Sequence, residues 1–307
     1  MSRVAAIDCG TNSIRLLIAD ISDGNFREII REMEIVRLGQ GVDATGQFDP
    51  EAVERTLNAT RKYADLIRSK GVEKIRFCAT SATRDASNRE IFIDGVKEIL
   101  GIEPEVIPGS EEAALSFIGA TKELKHAEAP YLVVDIGGGS TEFVLGTEEV
   151  KYAKSVNIGC VRMAERHLKV SPPKPLDVQN AIADIDKAIF EASHIVPLNE
   201  AKTLIAVAGT ATTVAAATLN LDQYDRYAIH LSRIPTEKVL EVAQRFSLMK
   251  RDELAALPYM HPGRVDVIAA GAIVLSRVMV ATGAKEFVAS ESDILDGMAW
   301  SLSQSTN

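Results

Sequence analysis

Two short stretches hold residue types suited to chemistry on phosphate. IDCGTNSIRLLIAD at 7–20 and VDIGGGSTEFVLGT at 134–147 share one frame, in which Asp8, Gly10 and Ser13 match Asp135, Gly137 and Ser140. Apolar residues flank both, so each reads as strand, glycine turn, strand. A loop of small residues presents successive backbone N–H groups around a concavity that fits phosphate oxygens. Gly10, Thr11, Asn12 and Ser13 form one such loop, and Gly137, Gly138, Gly139 and Ser140 the other. The aspartate ending each first strand suits a hydrated Mg²⁺, which takes few protein carboxylates and keeps water and substrate oxygens. Asp8, Asp135 and Glu142 are therefore the candidate metal set, while Arg15 stands where the second copy has Glu142. Whether Arg15 meets phosphate or a carboxylate stays open.

The elements that must position these loops repeat as well. RVAAID, IRLLIAD and NFREIIREMEIVRLG are strand-like, with SDG as a hairpin turn between the second and third. DPEAVERTLNATRKYADLIRSKG predicts an amphipathic helix with Asp49 as N-cap, Pro50 at its first position and Gly71 as its stop. KIRFCAT is a buried strand, NREIFIDGVKEILG a helix, EPEVIPG a short strand, and SEEAALSFIGATKEL a helix capped by Ser110. YLVVDIG, TEFVLGT and VKYAKSVNIG then restart the three-strand meander. Helices are expected near 159–168 and 177–196, then the strand TLIAVAG and a helix from Thr210. Long helices near 235–247 and 263–282, the strand EFVAS and a helix near 293–303 complete the chain. One such glycine turn is an ordinary tight hairpin; two, each opening its own half, are architectural. The fold class is α/β, with two similar domains, 1–125 and 126–307, facing across a phosphate-binding cleft. The last helix is a candidate to pack back on the first domain.

At 307 residues the chain is long enough for two cores, and 46% hydrophobic with 25% charged residues is ordinary for a globular protein. A net charge of −9 disfavours nucleic-acid and anionic-membrane partners. An anionic substrate would need metal and placed arginines against that field. Cys9, Cys78 and Cys160 show no metal-ligand spacing and read as buried free thiols. No run matches a signal-peptide core or a membrane span, so a reducing cytoplasm is expected. The five histidines form no triad or cluster, and His167 and His261 read as capping or surface residues.

More specific motifs follow in register: FCATSATRDASN, IPGSEEAALSFIGA, NIGCVRMAERH, AVAGTATTVAA and HPGRVDVIAAGAIVL, beside the two glycine loops. Together, from residue 3 to about 300, they resemble the exopolyphosphatase/guanosine-pentaphosphate phosphatase family in its short, two-domain form. That family belongs to the actin, sugar-kinase and Hsp70 superfamily, and the resemblance implies paired ribonuclease-H-like (actin-like ATPase) domains. It also implies that Glu112, the second glutamate of the G-x-E-E-A motif, directs the attacking water, and that Arg84 faces the phosphate channel. By residue type alone, Glu112 is a helix-start acid favoured by the dipole, and Arg84, in a loop after a buried strand, suits bidentate phosphate recognition. Glu111 reads as a solvated neighbour and Arg89 as a surface residue; Arg162 and Arg264 are weaker lining candidates. Gly209 and Thr210 begin a helix after a buried strand, and either touch a further phosphate or serve close packing.

The implied reaction is metal-dependent (Mg²⁺, with Mn²⁺ as the other option) hydrolysis of the terminal phosphoanhydride of inorganic polyphosphate. Its nearest rival is 5′-phosphohydrolysis of guanosine pentaphosphate. An ATP-dependent phosphotransferase or an actin-like assembly module is the rival from another class. Homodimerisation is implied by the family alone.

Overall fold

A strand buried on both faces reads as a continuous apolar run, and VAAIDC is such a run. In the computed structural model, which describes residues 2–22, 24–124 and 127–304, it lies in β1 (Ser2–Cys9) at the centre of a five-stranded sheet. Asp23 of the expected hairpin turn, and Lys125 and His126 of the expected boundary segment, lie outside the described residues. β1 pairs antiparallel with β2 (Ser13–Ser22), which pairs with β3 (Asn25–Ile35). On its other side it pairs parallel with β4 (Lys74–Ala79), which pairs with β5 (Glu105–Val106). Strand alternation divides the apolar set between two cores. Ala5, Ile7 and Cys9, with Ile14, Leu16 and Ile18, face helices Pro50–Ser69 and Glu90–Leu100. Val4, Ala6, Leu17 and Ala19 face Leu115 of helix Gly109–Thr121 and the side chains of the last helix, Ile294–Gln304.

The second sheet repeats this order. β6 (Tyr131–Ile136), β7 (Thr141–Gly146) and β8 (Val150–Val156) form the meander, and β9 (Thr203–Val207) pairs parallel with β6. β10 (Arg233–Pro235), a strand too short to show in the sequence, pairs with β11 (Glu286–Ala289), which joins β9 in parallel. The sequence β3-β2-β1-β4-β5 thus recurs as β8-β7-β6-β9-β11, with β10 added at the edge. Each sheet has the ribonuclease-H-like order. Helices Pro175–Ser193, Ala208–Thr218, Thr236–Leu248 and Ile268–Thr282 supply the second core.

The chain divides into one unit of Met1–Gly119 with Ile294–Asn307 and another of Ala120–Asp293. Among the described residues no helix is long and apolar enough to cross a membrane. Asp49 caps its helix by accepting from the amides of Glu51 (2.8 Å) and Ala52 (3.2 Å), with Pro50 as the first helical residue. Ser110 is not the cap expected of it, because its helix already begins at Gly109 and the Pro108 carbonyl accepts from Glu111 and Glu112. The helix expected from Thr210 starts at Ala208, and the one expected near 263 starts at Ile268 after a turn at Pro262–Arg264.

One charged ladder crosses the first sheet. Register sets Asp20 between Arg3 and Arg27, and its carboxylate takes Arg3 Nε at 2.7 Å and Arg27 Nη2 at 2.6 Å. Hydrogen bonds from these two guanidinium groups hold the Asp20 carboxyl well below the usual carboxylate range. Its stabilisation is therefore complete above the ordinary aspartate pKa of about 3.9 and is lost as pH falls beneath it. Asp20→Asn should lower the unfolding free energy by about 1–3 kcal/mol at neutral pH. Urea titrations of both proteins should show that difference shrinking steadily below about pH 4.

Candidate active site

The two glycine turns close with the same bond. Gly10 N–H donates to the Ser13 carbonyl at 2.9 Å, and Gly137 N–H to the Ser140 carbonyl at 3.0 Å. Both loops then turn their carbonyls into the protein. Val36 and Arg37 donate to Asn12 O at 3.1 and 2.9 Å, and Gly39 donates to Thr11 O at 2.9 Å. In the second loop the start of helix Cys160–His167 does this work: Cys160 N–H reaches Gly137 O (2.9 Å), and Val161 N–H reaches Gly138 O (2.8 Å). The buried Arg162 adds a bond from Nε to Gly139 O at 2.7 Å. With carbonyls held inward, amides are left for an anion. Among the described residues, the N–H groups of Thr11, Asn12, Gly138, Gly139 and Ser140 donate to no protein acceptor. Thr11 Oγ1 is likewise buried without a hydrogen-bond partner.

Register fixes what faces each strand-end aspartate. Asp8 stands directly across from Arg15, and Asp135 directly across from Glu142. Arg15 resolves its open alternatives by pairing with Asp8, with Nη2 at 2.6 Å and Nε at 3.0 Å from Oδ2. Asp8, expected among the metal ligands, is thus engaged by a guanidinium. In the second copy both partners are carboxylates, 6% and 0% exposed, and Ser155 Oγ donates to Glu142 Oε1 at 2.6 Å. Like charges directly opposite each other are destabilising, and burial sharpens the cost. Two carboxylates set across from one another are residue types that a hard divalent cation takes. Among the described residues no group of three His, Cys, Asp or Glu side chains converges as a metal cage.

Glu112 and Arg84 come together in the first unit. The chain leaves β4 through Thr80 into a one-turn helix, Ser81–Asp85, which replaces the expected loop and carries Arg84. Arg84 Nη1 donates to Glu112 Oε2 at 2.7 Å and to the Ile107 carbonyl at 2.9 Å. Burial raises the Glu112 carboxyl above its ordinary value, Arg84 and a Thr80 hydrogen bond pull it down, and Asp8 adds a smaller upward push. Glu111 is not merely solvated: its Oε1 lies 2.6 Å from Arg76 Nη2.

Thr210 takes part in close packing. Its side chain is buried and packs against Gly271 and Cys160. Gly209 follows Ala208, which holds a left-handed φ of 67°, and lies under the Arg264 guanidinium. Arg264 Nη1 donates to Thr213 Oγ1 at 2.9 Å and its guanidinium sits 5.8 Å from the Tyr224 ring centre. Tyr224 Oη is 2.7 Å from Thr212 Oγ1 and 2.6 Å from Glu291 Oε1. Sequence reasoning passed over Tyr224 and Glu291. Their one signal is that Glu291 follows β11, at the carboxyl end of a parallel strand, where α/β sheets gather ligand groups. His261 caps its turn through Nδ1, which accepts from Gly263 N–H, and His167 Nε2 contacts Asp184.

The profile of the Ppx/GppA phosphatase family matches residues 17–305. The chain is 49% identical to Exopolyphosphatase 2 of Mycobacterium tuberculosis, with 98% of this chain and 99% of that protein covered. A crystal structure of an exopolyphosphatase-like protein superposes with a TM-score of 0.95 at 44% identity, covering 98% of each chain. The Ppx/GppA family member of Aquifex aeolicus gives 0.82 at 29% identity, covering 100% of this chain and 99% of that one.

The second loop depends on a close approach at Gly159. A Cβ there would lie 2.2 Å from Gly138 O and 2.4 Å from Gly139 N, both backbone atoms. Gly159→Ala should therefore cost about 1–3 kcal/mol, the usual range for overpacking. A urea midpoint equal to that of the unchanged protein would show that the loop yields freely.

Proposed function

Because this chain belongs to the Ppx/GppA phosphatase family, we propose that it is an exopolyphosphatase, releasing orthophosphate from the end of inorganic polyphosphate. The observation that carries the reading is Glu112, a buried carboxylate held by Arg84 at 2.7 Å beside the first phosphate loop's strand-end aspartate. Water attacks the terminal phosphorus, the bridging P–O bond breaks, and the shortened chain leaves with its oxygen. Glu112 orients that water and takes its proton, a role suited to a carboxyl whose affinity for protons burial has raised. Arg84 offers a planar cation to the oxygens of the transferred group, and loop amides bind phosphate oxygens. Phosphoryl transfer of this kind needs position and charge, and no covalent nucleophile.

Asp135 and Glu142 are the residues that would hold Mg²⁺ or Mn²⁺. Such an ion supplies charge neutralisation at phosphate oxygens. The chain's own contribution is to keep the two carboxylates across from one another in the sheet and to aim the glycine-loop amides outward.

The test follows phosphate release from polyphosphate, guanosine pentaphosphate and ATP, with and without Mg²⁺. Polyphosphate should be the substrate turned over, and chelation should abolish turnover. Loss of the 5′-phosphate from guanosine pentaphosphate with polyphosphate left intact would transfer the assignment to that substrate. Phosphorylation of an added acceptor by ATP would overturn hydrolysis altogether. Glu112→Gln should lower kcat by about 10²–10⁴-fold, the span of general-base effects. Because burial raises Glu112, the acid limb of kcat should lie above the ordinary glutamate value of about 4.3. A limb at or below that value would remove Glu112 as the ionising group.

A further inference from the structure

Glu112 owes its place to a helix that the chain supplies only at its end. Helix Gly109–Thr121 and the last helix, Ile294–Gln304, touch backbone to backbone. A Cβ built at Gly297 would sit 2.0 Å from the Leu115 carbonyl oxygen and 2.8 Å from its carbon. Real Cβ contacts do not fall below 3.0 Å, so any side chain at Gly297 must drive the helices apart by about 1 Å. Leu115 lies three residues beyond Glu112, close to one turn along the same helix. A displacement at Leu115 is therefore felt at Glu112.

One ion pair and one hydrogen bond fix the last helix against the same sheet. Arg31 of β3 pairs with Asp296 at 2.6 Å. Arg76 of β4 reaches Ser301 Oγ at 3.0 Å and Glu111 Oε1 at 2.6 Å, linking both helices through one guanidinium. Glu112 contacts Arg84 from the other side, and Arg84 is itself fixed by the Ile107 carbonyl. The helix carrying Glu112 is thus seated between the last helix and the Arg84 turn.

We propose that Gly297 is a positioning residue for the reaction: by allowing backbone contact with Leu115, it sets the depth of the Glu112 helix and so the Glu112–Arg84 contact. The proposal rests on reading Glu112 as the group that directs water. Misplacement of a reacting group by about 1 Å can cost on the order of 10²-fold in rate. Ground-state binding of polyphosphate by the loop amides does not use this contact, so the loss belongs in kcat and not in KM. Parting Glu112 from Arg84 also removes a cation that favours the carboxylate, which moves the acid limb of kcat to higher pH.

The experiment compares full-length Gly297→Ala, Glu112→Gln and Ile294→Val with the unchanged protein on polyphosphate. Ile294→Val trims the same core without adding volume at the helix contact. Gly297→Ala should lose about 10–10²-fold in kcat with KM nearly unchanged and an acid limb raised relative to wild type. Ile294→Val should lower Tm while leaving kcat and the limb in place. If Gly297→Ala does not fold, Arg76→Gln loosens the tether without steric pressure and should lower kcat and raise the limb in the same direction. A folded Gly297→Ala with wild-type kcat and limb overturns the inference, as does an unmoved limb in Arg76→Gln when the alanine variant cannot be studied. Full activity in Glu112→Gln would instead overturn the water-directing reading on which the inference stands.

Discussion

The constraint on which the site depends is the antiparallel register of two short hairpins. In each, the residue directly across from a strand-end aspartate has no freedom to look elsewhere, because opposed side chains on one sheet face sit about 5 Å apart. An arginine there makes an ion pair, as Arg15 does with Asp8. A glutamate there sets two carboxylates across from one another, as Glu142 does with Asp135. One architecture written twice thereby yields two different instruments. The first is internally neutralised and presents amides and hydroxyls. The second sets two buried carboxylates side by side.

Loop chemistry depends in turn on what stands behind each loop. A glycine turn exposes amides only if its carbonyls have somewhere better to go. The segment after β3 supplies donors for Thr11 and Asn12, while a helix N-terminus supplies them for Gly137 and Gly138. The second arrangement does two jobs, since the first amides of any helix are orphaned and the loop carbonyls satisfy them. It also explains a glycine at 159: the helix has to begin almost on the loop's backbone. Arg162 completes the seat with a charge-assisted bond to Gly139, so the loop is held by both backbone and side chain.

Local features were legible in the sequence because their causes are local. The meanders follow from apolar runs and turns, and the Asp49–Pro50 helix start follows from capping chemistry within three residues. The doubled frame also gave the positions of both loops and of the carboxylates beside them. Tertiary causes left little trace. Nothing near Ser110 announces that the Pro108 carbonyl would take the helix amides, and nothing near Thr210 announces Gly271 and Cys160 as its neighbours. Arg84 is a phosphate-binding candidate by type, but its partner lies 28 residues away and its neighbour Ile107 is a backbone acceptor. Glycines at 39, 159 and 297 look like ordinary small residues until the backbone or side chain pressed against each is known.

The electrostatics of Glu112 bear on its proposed role, because proximity alone would not make a base. A carboxylate fully in water holds its proton too weakly to take one from water efficiently near neutral pH. Burial alone would overshoot, leaving the acid protonated and unable to accept. Here burial raises the group while Arg84 and Thr80 restrain it, and the balance depends on how close Arg84 stands. That distance is not a property of either residue. It is set on one side by a one-turn helix anchored to Ile107 and on the other by a backbone contact with the last helix. The chain's overall charge of −9 also opposes an anionic substrate at long range. Attraction must therefore be short-range, from oriented amides and a fixed guanidinium, and short-range attraction rewards rigid placement above net charge. The close-packed glycines and the arginine tethers are the part of the sequence that supplies that rigidity.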